Sequence, residues 1–137
     1  MRRVLPHLLT TLCLALAVSA GAAAQNAGGA SAKVPPGTYT LVPDTGYAGP
    51  DVSAFTVQFI GDTLLIVKQA GLMVVRSTLK YEGPVMLWTD LEGEMMCPEP
   101  ARYSVTVGKD FVRVTPVVDS CEGRATVTSG VRMVRQS

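Results

Sequence analysis

The sequence predicts an all-β domain, an antiparallel up-and-down barrel of about eight strands with one disulfide. Three observations lead to this fold class. Apolar and polar residues alternate with a period of two after Gly37, turn signals separate these runs at short intervals, and two cysteines follow late in the chain. A period of two places successive side chains on opposite faces of a strand, so the apolar ones share one buried face.

The N-terminal segment, residues 1–24, is predicted to be a signal peptide. Two arginines precede a short apolar run, and Ala22 and Ala24 give the small-residue pattern of a cleavage site, with Ala20 as an alternative. The run is too short and too interrupted for a membrane span, which takes roughly 20 apolar residues. We therefore expect an exported protein, periplasmic or extracellular, without stable membrane insertion.

The next segment, residues 25–36, is predicted to be a flexible leader, because it is rich in Gly, Ala and Pro and lacks an apolar period. A single β-barrel domain then covers residues 37–137. Without Arg2 and Arg3, ten basic residues face eleven acidic ones, a net charge of −1. Nucleic-acid binding calls for a clustered positive surface, so we expect no nucleic-acid partner.

Eight strands are predicted in the domain, and no segment has a period that predicts a helix. The strands lie near 37–42, 53–60, 63–69, 72–81, 85–90, 101–107, 110–118 and 125–135. A break at Ser129-Gly130 and a turn at Glu122-Gly123 are the irregular features of the last region. Short links favour sequential antiparallel pairing, and closure removes both exposed edges. A β-sandwich fits the strand count too, but the segment between the cysteines holds no tryptophan.

The cysteine pair follows from the register of one hairpin. With Gly108-Lys109 as a two-residue turn, Val105 lies opposite Val112. Continuing this pairing brings Cys121 within one position of Cys97, across a bulge at two prolines. An even number of cysteines in an exported chain is typical of disulfides. We predict a structural Cys97–Cys121 bond.

A second register places a hydroxyl group inside the barrel. Two-residue turns at Gly61-Asp62 and Ala70-Gly71 set Leu64 opposite both Phe59 and Ser77. Ser77 therefore lies on the inner face among apolar neighbours. A buried hydroxyl group without a partner costs about 1–3 kcal/mol, so a backbone group, a water molecule or a ligand must satisfy it.

Groups that could carry catalysis are few. The single histidine, His7, lies in the predicted signal peptide, and the sequence holds neither G-x-S-x-G nor a Gly-rich phosphate loop. We expect no cofactor and no enzyme, although a reaction run by carboxylates stays open.

Acidic residues gather near the first cysteine of the mature chain, and clustered carboxylates can bind Ca²⁺. They are Asp90, Glu92, Glu94 and Glu99. Their spacing matches no EF-hand loop, so a solvated acidic loop without metal is predicted. Met95-Met96 is interpreted as ordinary packing rather than a copper site.

Aromatic residues on apolar faces are the remaining candidate site: Tyr39, Phe55, Phe59, Tyr81, Trp88 and Tyr103. They either fill the core or line a ligand cup whose polar contacts are hydroxyl groups. For a cup, the predicted ligand-binding residues near one mouth are Tyr39, Phe55, Val57, Ser77, Tyr81 and Tyr103.

Several short motifs resemble those of the lipocalin-like (calycin) barrels. Gly37-Thr38-Tyr39 looks like their G-x-W signature, with Tyr in place of Trp. In that family an Arg near the last strand packs over this aromatic residue, and Arg132 or Arg135 matches it. Thr89-Asp90 is similar to their Thr-Asp motif before a late hairpin, with Leu91 in place of Tyr.

The pattern D-x-C-x-G-R is similar to small exported bacterial barrels, and the resemblance covers roughly residues 37–137. It implies a barrel that binds or sequesters a small apolar molecule, without a cofactor. A non-catalytic interaction module, such as an enzyme inhibitor or envelope assembly factor with a filled core, is the alternative. The resemblance names no ligand and no protein partner.

Overall fold

The computed structural model describes residues 32–137. The predicted signal peptide and residues 25–31 of the predicted leader lie outside the described residues. The elements, in chain order, are β1 (Gly37–Pro43), β2 (Phe55–Ile60), β3 (Leu64–Gln69), β4 (Leu72–Glu82), β5 (Val85–Glu92), β6 (Ala101–Val107), β7 (Val112–Val118), α1 (Glu122–Gly130) and β8 (Val131–Arg135).

The strands form a closed antiparallel barrel in which each pairs with the next and β8 pairs with β1. This confirms the predicted fold class, including the up-and-down order of eight strands. The meander gives the barrel two different ends. The base carries the β2–β3, β4–β5 and β6–β7 turns, whereas the mouth carries the longer β1–β2 and β5–β6 loops and α1.

The base is closed by residues of the predicted leader, 25–36. Val34 is only 1 % exposed, and its N–H donates to the Tyr81 hydroxyl group at 3.1 Å. The Tyr39 hydroxyl group donates to the Pro35 carbonyl at 2.6 Å. Packing against the barrel thus begins before Gly37, because the apolar Val34 covers the end of the core.

The β2–β3 turn is one residue longer than predicted. Ile60 pairs with Leu64, so Phe59 lies opposite Leu65 rather than Leu64. Leu65 also pairs with Ser77 and is fully buried. The predicted inner position of Ser77 is confirmed, since Ser77 is 0 % exposed. The neighbour was wrong because one extra turn residue exchanges the two faces of a strand.

The β3–β4 turn has the predicted two residues, with Gln69 paired to Leu72. Ala70 and Gly71 have φ of +48° and +85°, the left-handed conformation that this kind of hairpin turn requires at both positions. A bulge after Val67 then shifts the register.

The β6–β7 loop is also longer than predicted. Val107 pairs with Val112 and Val105 with Val114, so the predicted pairing of Val105 with Val112 is wrong by two positions. The reason is a four-residue loop whose first N–H, that of Gly108, donates to the Phe111 carbonyl at 2.8 Å. A shift of two positions keeps each side chain on its face.

The largest correction concerns the predicted strand 125–135. Its first part belongs to the helix α1, and the strand begins at Val131. The predicted turn at Glu122-Gly123 is the first turn of that helix. The hydroxyl groups of Thr128 and Ser129 donate to carbonyls one turn earlier, which satisfies the helical backbone locally. No α1 residue is fully buried, so the segment has no apolar stripe from which the sequence could predict a helix.

Candidate ligand-binding site

A cavity of about 580 Å³ opens at the mouth of the barrel. Apolar side chains from the inner faces of the strands form most of its wall, among them Leu41, Val57, Val67, Val75, Val114 and Met133. This volume lies within the range of roughly 300–1,000 Å³ that is usual for small-molecule pockets. The lower half of the barrel is filled, with Tyr39 and Phe59 in edge-to-face contact at 5.6 Å.

The structure brings two of the six predicted lining residues to this cavity, Phe55 and Val57. The other four do not line it. Tyr39 and Tyr81 lie at the base, where their hydroxyl groups bond to the backbone of the leader segment. The core therefore occupies the part of the barrel where most of the predicted cup was placed.

The helix α1 supplies one side of the cavity. β7 and β8 are paired only at Val112 and Met133, and α1 packs against both strands beside this short contact. Gly123, Val127 and Thr128 of α1 line the cavity. Sequence reasoning missed these residues because the segment was interpreted as a strand.

The disulfide joins α1 to the β5–β6 loop. Cys97 and Cys121, which are 24 positions apart in the sequence, are bonded, and their Cα atoms are 6.0 Å apart. Both line the cavity, and Cys121 is the residue immediately before α1. The predicted bond is confirmed, and it fixes the N-terminal end of the helix at the mouth.

The other end of α1 is held by the β1–β2 loop. The N–H of Asp44 donates to the Gly130 carbonyl at 2.9 Å. The ring of Tyr47 lies so close to Gly130 that a Cβ atom there would overlap it. The helix is thus attached to the mouth of the barrel at both of its ends.

A buried carboxylate lies in the wall of the cavity. Asp90, whose side chain is 1 % exposed, accepts hydrogen bonds from Ser77 Oγ at 2.7 Å and Trp88 Nε1 at 2.6 Å. Its second oxygen accepts from the Cys97 N–H at 2.8 Å and from Arg124 Nη1 at 2.9 Å. The Ser77 hydroxyl group therefore finds its partner in a side chain rather than in a ligand or water.

A second buried carboxylate, Asp119, holds the same arginine. Arg124 donates to it from Nε at 2.9 Å and from Nη2 at 3.0 Å, and the Cys121 N–H donates at 2.9 Å. Tyr103 donates its hydroxyl group to the remaining position. Arg124 also lies 5.8 Å from the Trp88 ring centre. One guanidinium thus links two carboxylates, the disulfide and the helix.

The pKa values in this network follow from burial and hydrogen bonding together. Burial favours the neutral form of Asp119, but hydrogen bonds from Arg124 and Tyr103 outweigh it and lower the pKa of Asp119. Burial, followed by the bond to Asp119, raises the pKa of Tyr103. Asp119 therefore remains ionised and Tyr103 remains protonated at neutral pH.

The four predicted loop carboxylates do not converge. Asp90 points into the barrel from β5 and bonds to Ser77, Trp88 and Arg124, so its assignment to a solvated acidic loop was wrong. Glu92 pairs with Arg76 on the outer face at 2.9 Å. Within residues 32–137, no group of three His, Cys, Asp or Glu side chains is arranged to hold a metal ion.

We expect Ca²⁺ to leave the stability unchanged. Titration of the chelator-treated protein should not move its melting temperature, because a cation that binds only the folded state would raise it. Thermal unfolding followed by circular dichroism measures this, with Mg²⁺ as the control cation. A large rise specific to Ca²⁺ would contradict the prediction.

Exposed apolar side chains surround part of the mouth: Leu72, Met73, Met95 and Met96. The start of β4 and the β5–β6 loop, which carry them, are in contact, since the Met95 N–H donates to the Val74 carbonyl at 3.1 Å. Gly93 allows this approach, because its φ is +126° and a Cβ atom would overlap Val74. The apolar wall of the cavity thus continues onto the surface.

No protein-family model, curated protein or solved structure matches the chain significantly. Among the helices of residues 32–137, none is long and apolar enough to cross a bilayer.

Proposed function

We propose that this barrel binds and sequesters a small apolar molecule in the cavity at its mouth, without catalysing a reaction. The observation that carries the proposal is a cavity of about 580 Å³ with almost entirely apolar walls. A soluble domain gains stability by filling such a space with its own side chains. A retained cavity that opens to solvent is therefore best explained by an external occupant.

The proposed site of action is an exported one, the periplasm or the extracellular space. A disulfide at the mouth supports it, because such bonds persist in oxidising compartments. The resemblance to lipocalin-like barrels is part of the same proposal. Arg135 lies opposite Tyr39 in the register of β1 and β8, and its guanidinium lies against Gly37, which supports Arg135 rather than Arg132 as the arginine in this proposal.

A second candidate is a non-catalytic interaction module. The exposed apolar side chains at the mouth favour it, because apolar surface patches often mark protein contacts. In that case a side chain or loop of a partner protein, rather than a free small molecule, would enter the cavity.

Filling the cavity should abolish ligand binding. Titration with the neutral fluorescent probe N-phenylnaphthylamine should saturate for the wild-type protein. Val57→Phe should bind the probe at least about tenfold more weakly, because the added ring occupies the cavity. Val57 lines the cavity and is 4 % exposed.

The matched control is Val117→Phe, since Val117 is 56 % exposed and does not line the cavity. Circular dichroism establishes that both variants keep their strand content. If the wild-type protein bound no apolar probe, the interaction module would replace the proposal. Equal binding by Val57→Phe and wild type would place the probe elsewhere.

A further inference from the structure

We propose that the cavity selects its ligand by charge: it accepts an aliphatic chain with a positively charged or neutral head group and disfavours an anionic one. This inference rests on the proposed function and names the class of ligand. It follows from the carboxylates in and behind the cavity wall and from the hydrogen bonds that Arg124 already makes to two of them.

The charged side chains that line the cavity within residues 32–137 are Asp51, Asp90 and Arg124. Asp119 lies directly behind Arg124 and bonds to it. The formal charges of these three carboxylates and one guanidinium sum to −2. The field at a head group in or above the cavity is therefore negative, and the low dielectric of the apolar wall strengthens it.

Arg124 is a poor anion site, because four of its five N–H donors are already used. Nε, Nη1 and Nη2 donate to Asp119, Asp90 and the Glu99 carbonyl at 2.9–3.0 Å. The Arg124 side chain is 9 % exposed. An incoming carboxylate would find at most one Nη1 N–H without an acceptor and would lie close to the Asp90 and Asp119 carboxylates that Arg124 already pairs with, which repel it.

The start of α1 does not offer one either. A helix N-terminus favours an anion, but Asp119 already supplies it by accepting the N–H of Cys121 at 2.9 Å. Glu122 adds a second carboxylate in the first turn. The positive end of the helix is thus balanced by side chains of the protein itself.

The surface at the mouth continues the negative charge. Glu94 and Glu122 are exposed, and each is adjacent in sequence to a residue that lines the cavity. Lys68 is likewise adjacent to lining residues, Val67 and Gln69, and like the two glutamates it does not line the cavity itself, so two acidic side chains stand against this one lysine. A chain that enters tail-first would leave its head group near Asp51 and these acidic side chains.

Three amphiphiles with the same chain test the inference: dodecylammonium, dodecanol and dodecanoate. Each is used below its micelle-forming concentration to displace N-phenylnaphthylamine from the wild-type protein. At low ionic strength, dodecylammonium should bind on the order of tenfold more tightly than dodecanoate, with dodecanol between them. Added salt should reduce this ratio, because the charges at the mouth are accessible to solvent.

The source of the preference is tested by Asp51→Asn, which should reduce the ammonium-to-carboxylate ratio severalfold. The asparagine oxygen can still accept the bond from the Ser53 N–H that Asp51 makes at 2.9 Å. Glu82→Gln is the control. It removes an exposed carboxylate at the base, on the β4–β5 turn, and should leave the ratio unchanged.

The outcomes separate this inference from the proposed function. Equal or tighter binding of dodecanoate would overturn the charge selection while leaving an apolar binding site. Charge selection would also be overturned if the probe binds but none of the three amphiphiles displaces it. If the probe itself does not bind, both proposals fail.

Discussion

Replacing Arg124 with methionine should lower the free energy of unfolding by about 3–5 kcal/mol. The substitution keeps much of the apolar side-chain volume but leaves Asp90 and Asp119 without their shared cation. Both carboxylates are almost inaccessible to solvent, with side-chain exposures of 1 % and 0 %. Chemical denaturation followed by circular dichroism measures the loss.

The control is Arg132→Met. Arg132 also pairs with an aspartate, Asp44, but its side chain is 42 % exposed and the atoms lie 3.4 Å apart. Exposed ion pairs contribute about 0–1 kcal/mol, so this variant should lose little stability. Losses of similar size in the two variants would contradict a dominant role for the buried network.

The pH dependence should differ between wild type and Arg124→Met. In the wild-type protein the pKa of Asp119 is lowered, so its contribution to stability is present above the unfolded-state pKa and is lost as pH falls through the folded-state value. Without Arg124, burial is opposed only by the hydrogen bonds from Tyr103 and the Cys121 N–H, so the pKa of Asp119 should be higher in the variant than in wild type. The variant should then recover part of its deficit relative to wild type as pH falls through the raised value.

Removing the disulfide should cost about 3 kcal/mol in the chain-entropy model. The double variant Cys97→Ala/Cys121→Ala increases the conformational entropy of the unfolded chain. It also frees the N-terminal end of α1. The unfolding midpoint should fall, whereas far-UV circular dichroism at low temperature should retain the strand signal.

The same double variant separates two roles of the bond. Cys13 lies in the predicted signal peptide, so the mature variant would have no thiol to form a replacement bond. Probe binding should persist at low temperature, if more weakly, because the strand walls of the cavity remain. Complete loss of binding with the fold intact would mean that the bond itself shapes the site.

The barrel could be predicted because strand alternation depends on nearby residues. Phe55, Val57 and Phe59 share a face in the sequence as they do in the structure, where Val57 and Phe59 are buried. Turn lengths were harder to predict from the sequence. Whether Phe59 faces Leu64 or Leu65 depends on one residue in the turn, and no local pattern determines it.

The polar network could not be predicted from the sequence. Asp90 resembles a surface acid in a run of acidic residues, and its burial depends on Arg124, which lies 34 positions later. The only available signal was the inner-face position of Ser77, which required some partner. Similarly, α1 forms through the packing of its ends and its place beside β7 rather than through an apolar stripe of its own.

The short contact between β7 and β8 has a consequence for the rate at which a ligand could exchange. Only Val112 and Met133 pair there, while the mouth half of this junction is covered by α1. Parting a helix from such a junction breaks fewer hydrogen bonds than separating two fully paired strands. If the barrel binds a ligand as proposed, we expect the attachment of α1, rather than the pairing of the strands, to control how quickly that ligand enters and leaves.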